Sequence, residues 1–581
     1  MDAVDDESMP QLLARAATKY LHNSGCMQFK TWFPFLAWPP LTLHLARHEM
    51  LAGVTIGLML LPQGVAYAAL AGMPLVTGIY AALLPSLVAV LWGASPRLGV
   101  GPTALTSLLI GASLFGMAEP GSARWVALVA WMTIMAGALQ WLLGALQGGW
   151  LVNLVTSPVL NGFTQAAGIL ILLSQLPAVL GLRTSWHALL YDPSLHHFDG
   201  RALLFGLGAV AALLLLKRLA PKLPAAVLVI GVCGIVSAAC GFADQDGRIV
   251  GHLPTGMPSL SLPGSISMED ATRLLLPVLM ISLVSFLEVA SSAQIEHRSA
   301  GTRWNENQDL IAQGMAKVVA GLSGSFAISA SFSRSAVALN SGAQSGWATV
   351  FAIGMVLATA LWLTPALYHI PQAALAAVVV AAVINLIQPR TLRALFRISR
   401  IEGGIALTTF ALTLATAPRL YWGVLAGVLL SLCHFLYQRL HPRILEIGEH
   451  ADGSLRSRDI WNLPPIAPHI LALRMDAEWD FASASALERF VTEALQQRPA
   501  IDTVFLDAQP INRIDVTGVE SFMRLRQNLQ KRGIHLHIGG LKLPVQSILE
   551  SAGALVSGPD LQLSRTSAQA LVAMRVSNAT K

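Results

Sequence analysis

Charge is what this chain has least of. Only 12% of its 581 residues are Asp, Glu, Lys or Arg, where a soluble protein of ordinary composition carries about a quarter. With 54% of residues hydrophobic, that shortage excludes a wholly water-exposed globule and indicates a membrane protein. Cysteine is also scarce. Cys26, Cys233, Cys240 and Cys433 form no CxxC pair and no Cys/His cluster, so neither a zinc site nor a disulfide framework is expected, and packing accounts for all four. Clustered metal ligands, a nucleophile elbow and a phosphate loop are missing too, so no enzyme, no catalytic residue, no metal and no cofactor are expected. The formal net charge is +6, but no basic run is interleaved with aromatics. Positive charge in a membrane protein mainly orients loops, and nucleic acid is not an expected partner. The first thirty residues carry Asp2, Asp5, Asp6 and Glu7 without an apolar core, which excludes a signal peptide there.

What charge there is lies unevenly. Long runs between Leu51 and Leu440 have none, whereas the chain from Arg443 to Lys581 has the composition of a water-soluble domain. The expected division is an N-terminal cytoplasmic segment 1–48, a membrane domain 49–440, a linker 441–465 and a soluble domain 466–575. Stretches of spanning length number roughly 12 to 14, the first beginning near Met50. Basic residues gather as Lys217, Arg218 and Lys222, as Arg390, Arg393, Arg397 and Arg400, and as Arg439 and Arg443. The positive-inside rule puts these clusters and both termini in the cytoplasm, and the loop Gly241 to Asp270 outside, in a cytoplasmic membrane. His196 and His197 fall in another outer loop and read as solvated.

Two stretches interrupt the apolar pattern in the same way. Leu98-Gly99-Val100-Gly101-Pro102-Thr103 is an extended piece running into a half-length apolar helix, with Pro102 read as its first helical residue. Ser329 to Ser333 alternates with period two, then runs as a short helix to Asn340, with Gly342 as its stop. The breaks fall at similar depths in two halves beginning near Met50 and Arg273. Paired interruptions of this kind point to inverted repeats with a binding site at the midplane. Arg334 stands at the second break. A charge at that depth costs roughly 2.5 to 3.5 kcal/mol and faces a polar cavity or a partner. Two half-helix N-termini converging there would present unpaired N–H groups and partial positive charge, which suits a small anion.

The ordered motifs Leu61-Pro62-Gln63-Gly64-Val65-Ala66-Tyr67-Ala68-Ala69-Leu70-Ala71-Gly72, Gly78-Ile79-Tyr80-Ala81-Ala82, Val100-Gly101-Pro102 and Ser331-Phe332-Ser333-Arg334-Ser335 resemble the sulfate permease (SulP) family. The resemblance implies a polytopic α-helical membrane protein of about fourteen segments, built as a 7+7 inverted repeat with core and gate domains. It also implies elevator-like alternating access and a homodimer. The soluble tail reads independently as a small α/β domain, with strands at Val504-Phe505-Leu506-Asp507 and Gly533 to Ile538, a strand end turning into a helix at Ile514 to Gly518, and a helix from Val545 to Ser551. It is similar to a STAS domain, the fold of anti-sigma-factor antagonists.

Substrate contacts are expected from Gln63, Gly101, Thr103, Ser331, Phe332, Ser333 and Arg334. Plainer roles stand beside several of them: Gln63 repairing the kink at Pro62, Thr103 and the serines at 329, 331 and 333 capping helices, and Arg334 pairing with a buried carboxylate. Glu288 lies in an apolar span and suits proton coupling. The competing readings are a sodium site with Ser292, one turn away, and a plain ion pair with Arg334. Thr517 occupies the position at which the antagonists are phosphorylated, with helix capping behind Asp515 as the alternative. Gly314-Met315-Ala316-Lys317 departs from the family's pattern, which usually ends in Asn. The expected function is a secondary transporter of a small inorganic or carboxylate anion across the lipid bilayer, sulfate with protons first. Sodium-coupled bicarbonate transport, proton-coupled dicarboxylate transport and an anion-responsive sensor without net transport remain open, as does a signalling tail with a membrane anchor.

Overall fold

The computed structural model describes residues 33–182, 199–220, 224–556 and 558–579. Cys26, Lys222, His196, His197 and the acidic residues near the N-terminus lie outside them. The chain forms two compact units, Met1–Ser431 and Leu432–Lys581.

In the first unit the helices are α1 (Leu43–Leu70), α2 (Val76–Ala81), α3 (Leu84–Trp92), α4 (Ala104–Ser113), α5 (Ala123–Ala145), α6 (Ser157–Val179), α7 (Gly200–Leu219) and α8 (Ala225–Ala239). After the polar stretch come α9 (Met268–Ala300), α10 (Glu306–Leu322), α11 (Phe332–Asn340), α12 (Trp347–Ala358), α13 (Gln372–Val383), α14 (Pro389–Ile398), α15 (Arg400–Ala415) and α16 (Tyr421–Leu440), the last of which continues past Ser431 into the second unit. Taking α2 with α3 and α14 with α15, the described residues give fourteen segments, seven on each side of that stretch. Among the described residues seven helices are long and apolar enough to cross a membrane.

The helix α1 begins seven residues before Met50. Thr42 accepts a hydrogen bond from the Leu45 amide, and this cap fixes the start ahead of the apolar run, so that Arg47 and Glu49 fall within the helix. By contrast α4 and α11 have ten and nine residues. At 1.5 Å per residue each crosses about half of a 30 Å hydrocarbon core. Each is preceded by a two-residue strand, β1 (Val100–Gly101) and β2 (Ser329–Ala330). The two pair antiparallel, Val100 with Ala330 and Gly101 with Ser329. Extended backbone continues through Ser331, whereas Phe332 and Ser333 already belong to α11, so the alternation stops two residues short of Ser333. Pro102 lies two residues ahead of the first residue of α4, not at it.

Packing separates two bundles. The helix α10 lies along α5 and α3, and α12 along α1, which forms the core. The helix α15 lies along α6, and α13 along α6 and α7, which forms the gate. Where α13 meets α1, gate faces core.

The second unit carries a six-stranded sheet, β3 (Ile444–Glu449), β4 (Leu455–Ser457), β5 (Ile470–Met475), β6 (Thr503–Asp507), β7 (His535–Gly539) and β8 (Leu561–Ser564), in the order β4-β3-β5-β6-β7-β8. The strands β5 to β8 run parallel, while β3 is antiparallel to its neighbours. Period-two alternation assigns the faces. Leu471, Leu473, Val504, Leu506, Leu536 and Ile538 meet helices Ala484–Gln497 and Val516–Lys531, whereas Ala472 and Phe505 meet helix Ser567–Ala579 on the other face. Ile514 does not end a strand. It makes a single bridge to Trp479, and Asp515 caps the helix from Val516 by accepting from the Gly518 amide at 2.8 Å.

Candidate functional site

The strand pair β1–β2 sets the N-termini of the two half-helices side by side. The Ser331 amide extends the pairing by donating to the Gly99 carbonyl at 3.0 Å. Gly99 is needed for this approach, because a Cβ there would lie 2.4 Å from Arg334 Cβ and 2.8 Å from its carbonyl carbon.

Arg334 is the third residue of α11 and only 1% exposed. Its Nε donates to the Gly99 carbonyl at 3.3 Å, and Nη1 donates to Gln63 Oε1 at 3.0 Å. The second terminal nitrogen, Nη2, is buried without a partner. A buried guanidinium donor left unpaired costs more than an ordinary hydrogen bond returns, which makes Nη2 an open donor in this cluster. Gly101 brings its backbone to the same place, since a Cβ there would sit 3.5 Å from Nη2.

The serines contribute differently from the expected caps. Ser331 is the N-cap residue, yet its side chain caps nothing; its hydroxyl lies 3.1 Å from that of Ser333. Ser329 Oγ donates to the Ser285 carbonyl at 2.8 Å. The first turn of α11 therefore keeps its amides free of a side-chain cap, which leaves the positive helix end for a ligand. Phe332 is 52% exposed and Ser333 is exposed.

On the other half-helix Thr103 is a true N-cap, accepting from the Thr106 amide. Its hydroxyl is 3.0 Å and that of Thr106 3.2 Å from Glu288 Oε2. Thr103 thus caps α4, as the plainer reading has it, and also holds Glu288. No ion pair joins Glu288 to Arg334 among the described residues; hydroxyls hold the carboxylate, while the Gly99 carbonyl and the Gln63 amide oxygen accept from two of the three guanidinium nitrogens. Ser292 is buried on the same helix, its hydroxyl without a partner. Sequence reasoning missed Gly99 and Thr106. The signal for Thr106 was the Thr-x-x-Thr spacing at a helix start, which puts a second hydroxyl on the cap's side of the first turn.

A cavity of about 770 Å³ opens beside this cluster. Gln63, Ser333 and Val337 line one wall, and Leu213, Lys217 and Ala381 of the gate line the other. A second cavity of about 610 Å³ lies toward the far end of α1, around Leu70, Leu108 and Arg248, and holds none of the expected site residues.

In the second unit Thr517 is half-buried in the first turn of its helix, where Asp515 already provides the cap. Among the described residues no group of three or more His, Cys, Asp or Glu could hold a metal ion.

Residues 47–409 match the Sulfate permease family, and residues 464–570 match the STAS domain. A probable sulfate transporter of Mycobacterium tuberculosis is 30% identical over 519 residues, covering 88% of this chain and 92% of its own. A sodium-independent sulfate anion transporter of Bos taurus is 29% identical over 564 residues, covering 90% and 88%. Among solved structures, the murine Solute Carrier 26 family member A9 anion transporter in the inward-facing state superposes with a TM-score of 0.84 at 19% identity, covering 100% of this chain and 96% of its own.

Proposed function

Because this chain belongs to the sulfate permease family, we propose that it is a secondary active anion transporter of the cytoplasmic membrane, carrying sulfate with protons by an elevator-like movement of core against gate. The observation that carries this reading is Arg334 Nη2, a buried cationic donor without a partner between two half-helix N-termini. Gln63, Gly101, Thr103, Ser331, Phe332, Ser333 and Arg334 form the anion site, with Thr103 acting mainly through Glu288. Glu288 takes the coupling proton. Its neighbours within hydrogen-bond reach are hydroxyls, which can accept from a protonated carboxyl as readily as they donate to a carboxylate. The orphan Ser292 hydroxyl is one oxygen toward a sodium site, but among the described residues no group of three or more His, Cys, Asp or Glu gathers there. That the mycobacterial and bovine relatives are a probable sulfate transporter and a sodium-independent sulfate anion transporter supports sulfate, and the latter supports independence from sodium.

The cavity between Gln63 and Lys217 supports a state open on the side of the basic loop, which the positive-inside rule makes cytoplasmic, along with both termini. On this reading residues 49–440 transport, 441–465 link and 466–575 form a cytoplasmic STAS domain through which homodimers assemble, with Thr517 its regulatory hydroxyl. The test is labelled-sulfate uptake into proteoliposomes under imposed pH and sodium gradients. Uptake should follow an inward proton gradient without sodium. Arg334→Ala should raise the KM by at least about tenfold, the worth of one charge-assisted bond, and Glu288→Gln should abolish dependence on the gradient. Saturable binding without uptake would replace the transporter with a sensor, and loss of uptake on removing sodium would replace the proton.

A further inference from the structure

Lys317 takes no part in the anion site as described, yet it is the other cation sealed inside the core. It is 0% exposed. Gly137 of α5 and Gly314 of α10 bring the two backbones together there: a Cβ on Gly137 would lie 2.6 Å from the Gly314 carbonyl and 3.0 Å from Lys317 Cβ. The Lys317 ammonium donates to one neutral acceptor, Gln140 Oε1, at 2.8 Å. No carboxylate lies within ion-pair distance among the described residues. A buried ammonium with a single amide acceptor is poorly compensated by its own surroundings.

The lysine is tied to the back of the anion site. Gln140 Nε2 donates to the Ser282 carbonyl at 2.7 Å and to Ser285 Oγ at 3.0 Å. The Ser285 carbonyl accepts from Ser329, which pairs with Gly101 across β1–β2. Three residues on from Ser285, Glu288 projects to Thr103. Lys317 thus stands behind the site and Arg334 within it, and when protonated Lys317 joins Arg334 in facing the one carboxylate of Glu288. With Lys317 protonated, this cluster of three carries one positive charge when the site is empty. A doubly charged anion arriving with one proton brings it to neutrality, which is the state least costly to move through low dielectric.

We propose that Lys317 is a second counter-charge of the anion site, a positioning residue acting through Gln140 and Ser285, and that it adapts the core to doubly charged oxyanions over singly charged ones. The proposal rests on the anion-site reading above. A unit charge about 10 Å from a ligand at an effective dielectric near 20 is worth more than tenfold in affinity for each ligand charge. Removing it should therefore weaken a dianion by the square of what a monoanion loses.

The experiment measures sulfate and nitrate as competitors for sulfate uptake by the full-length protein in proteoliposomes, in wild type, Lys317→Gln, Gln140→Glu and Arg334→Ala. Gln140→Glu keeps the lysine in place and cancels its charge, so it serves if Lys317→Gln does not fold. Expected is a fall of at least tenfold in the sulfate-to-nitrate affinity ratio in both variants, while Gln140→Glu, which loses the amide's donations to Ser282 and Ser285, unfolds at a lower temperature than wild type. Parallel changes for the two anions, an unchanged ratio, or a wild type that does not prefer the dianion would overturn the proposal. If Arg334→Ala binds both anions normally, the anion site itself is misplaced. If Arg334→Ala loses both while the Lys317 and Gln140 variants keep the wild-type ratio, the role of Lys317 alone fails.

Discussion

At the scale of single residues, the site depends on how one guanidinium is left incompletely paired. Gly99 and Gln63 engage two of the nitrogens of Arg334 and hold the planar group so that Nη2 faces the space between the half-helices. Gln63 is neutral, and that matters, because a carboxylate in its place would form a short charge-assisted pair and cancel the charge. Gln63→Glu is therefore expected to keep or raise the unfolding temperature while increasing the KM for sulfate by more than about tenfold. Gln63→Ala should do the opposite. It leaves another buried donor unpaired, at a cost of about 1 to 3 kcal/mol in stability, but keeps the charge and so loses less affinity. Uptake kinetics and thermal unfolding of the two variants check this, and equal losses in both would give Gln63 a steric role instead. Arg334 and Gln63 were each legible in the sequence, one as a charge in apolar surroundings and the other in a motif. Their mutual bond was not, since 271 residues separate them.

At the scale of elements, the paired interruptions were legible because extended backbone and half-length helices leave a mark in hydropathy that full spans do not. Their details were not, because caps depend on side-chain rotamers that composition does not encode. The serine-rich start of α11 suggested capping, yet Ser331 caps nothing and Thr103, on the other half-helix, does. The two half-helix starts should accordingly respond differently to loss of a hydroxyl. Thr103→Val removes a cap, worth about 1 kcal/mol, and a donor to Glu288, so it should lower the unfolding temperature measurably. Ser331→Ala should leave it within about 0.5 kcal/mol of wild type. A stability loss in Ser331→Ala as large as in Thr103→Val would contradict the asymmetry. The start of α1 illustrates the same limit, since the apolar run begins near Met50 but the Thr42 cap sets the helix at Leu43. Lys317 was visible only as a departure from a pattern, and its place behind β2 required the packing of α5 on α10.

At the scale of the whole molecule, the two units answer to different physics, and an acid gradient acts on both. The strands of the second unit were legible from period-two alternation, but the burial of a histidine in one of them was not. His537 is 3% exposed, with Nε2 2.8 Å from Ser564 Oγ, and burial holds its imidazole below the ordinary value near 6.5. The unfolded chain therefore takes up this proton first as pH falls. The stability that His537 contributes is fully present above about 6.5 and declines below it, until the lower folded value is reached. The C-terminal unit, residues 432–581, should thus unfold at lower temperature at pH 5.5 than at pH 7.5, and His537→Gln should flatten that dependence; identical profiles for wild type and variant would rule out the histidine as the source. On the proposed orientation the tail faces the interior, so an inward proton gradient acidifies Glu288's side of the cycle while the tail stays near neutral. Protein reconstituted the other way round meets acid at its tail. Wild-type uptake driven by the gradient should consequently decay faster in inside-out than in right-side-out vesicles, and His537→Gln should remove most of that difference without changing the initial rate.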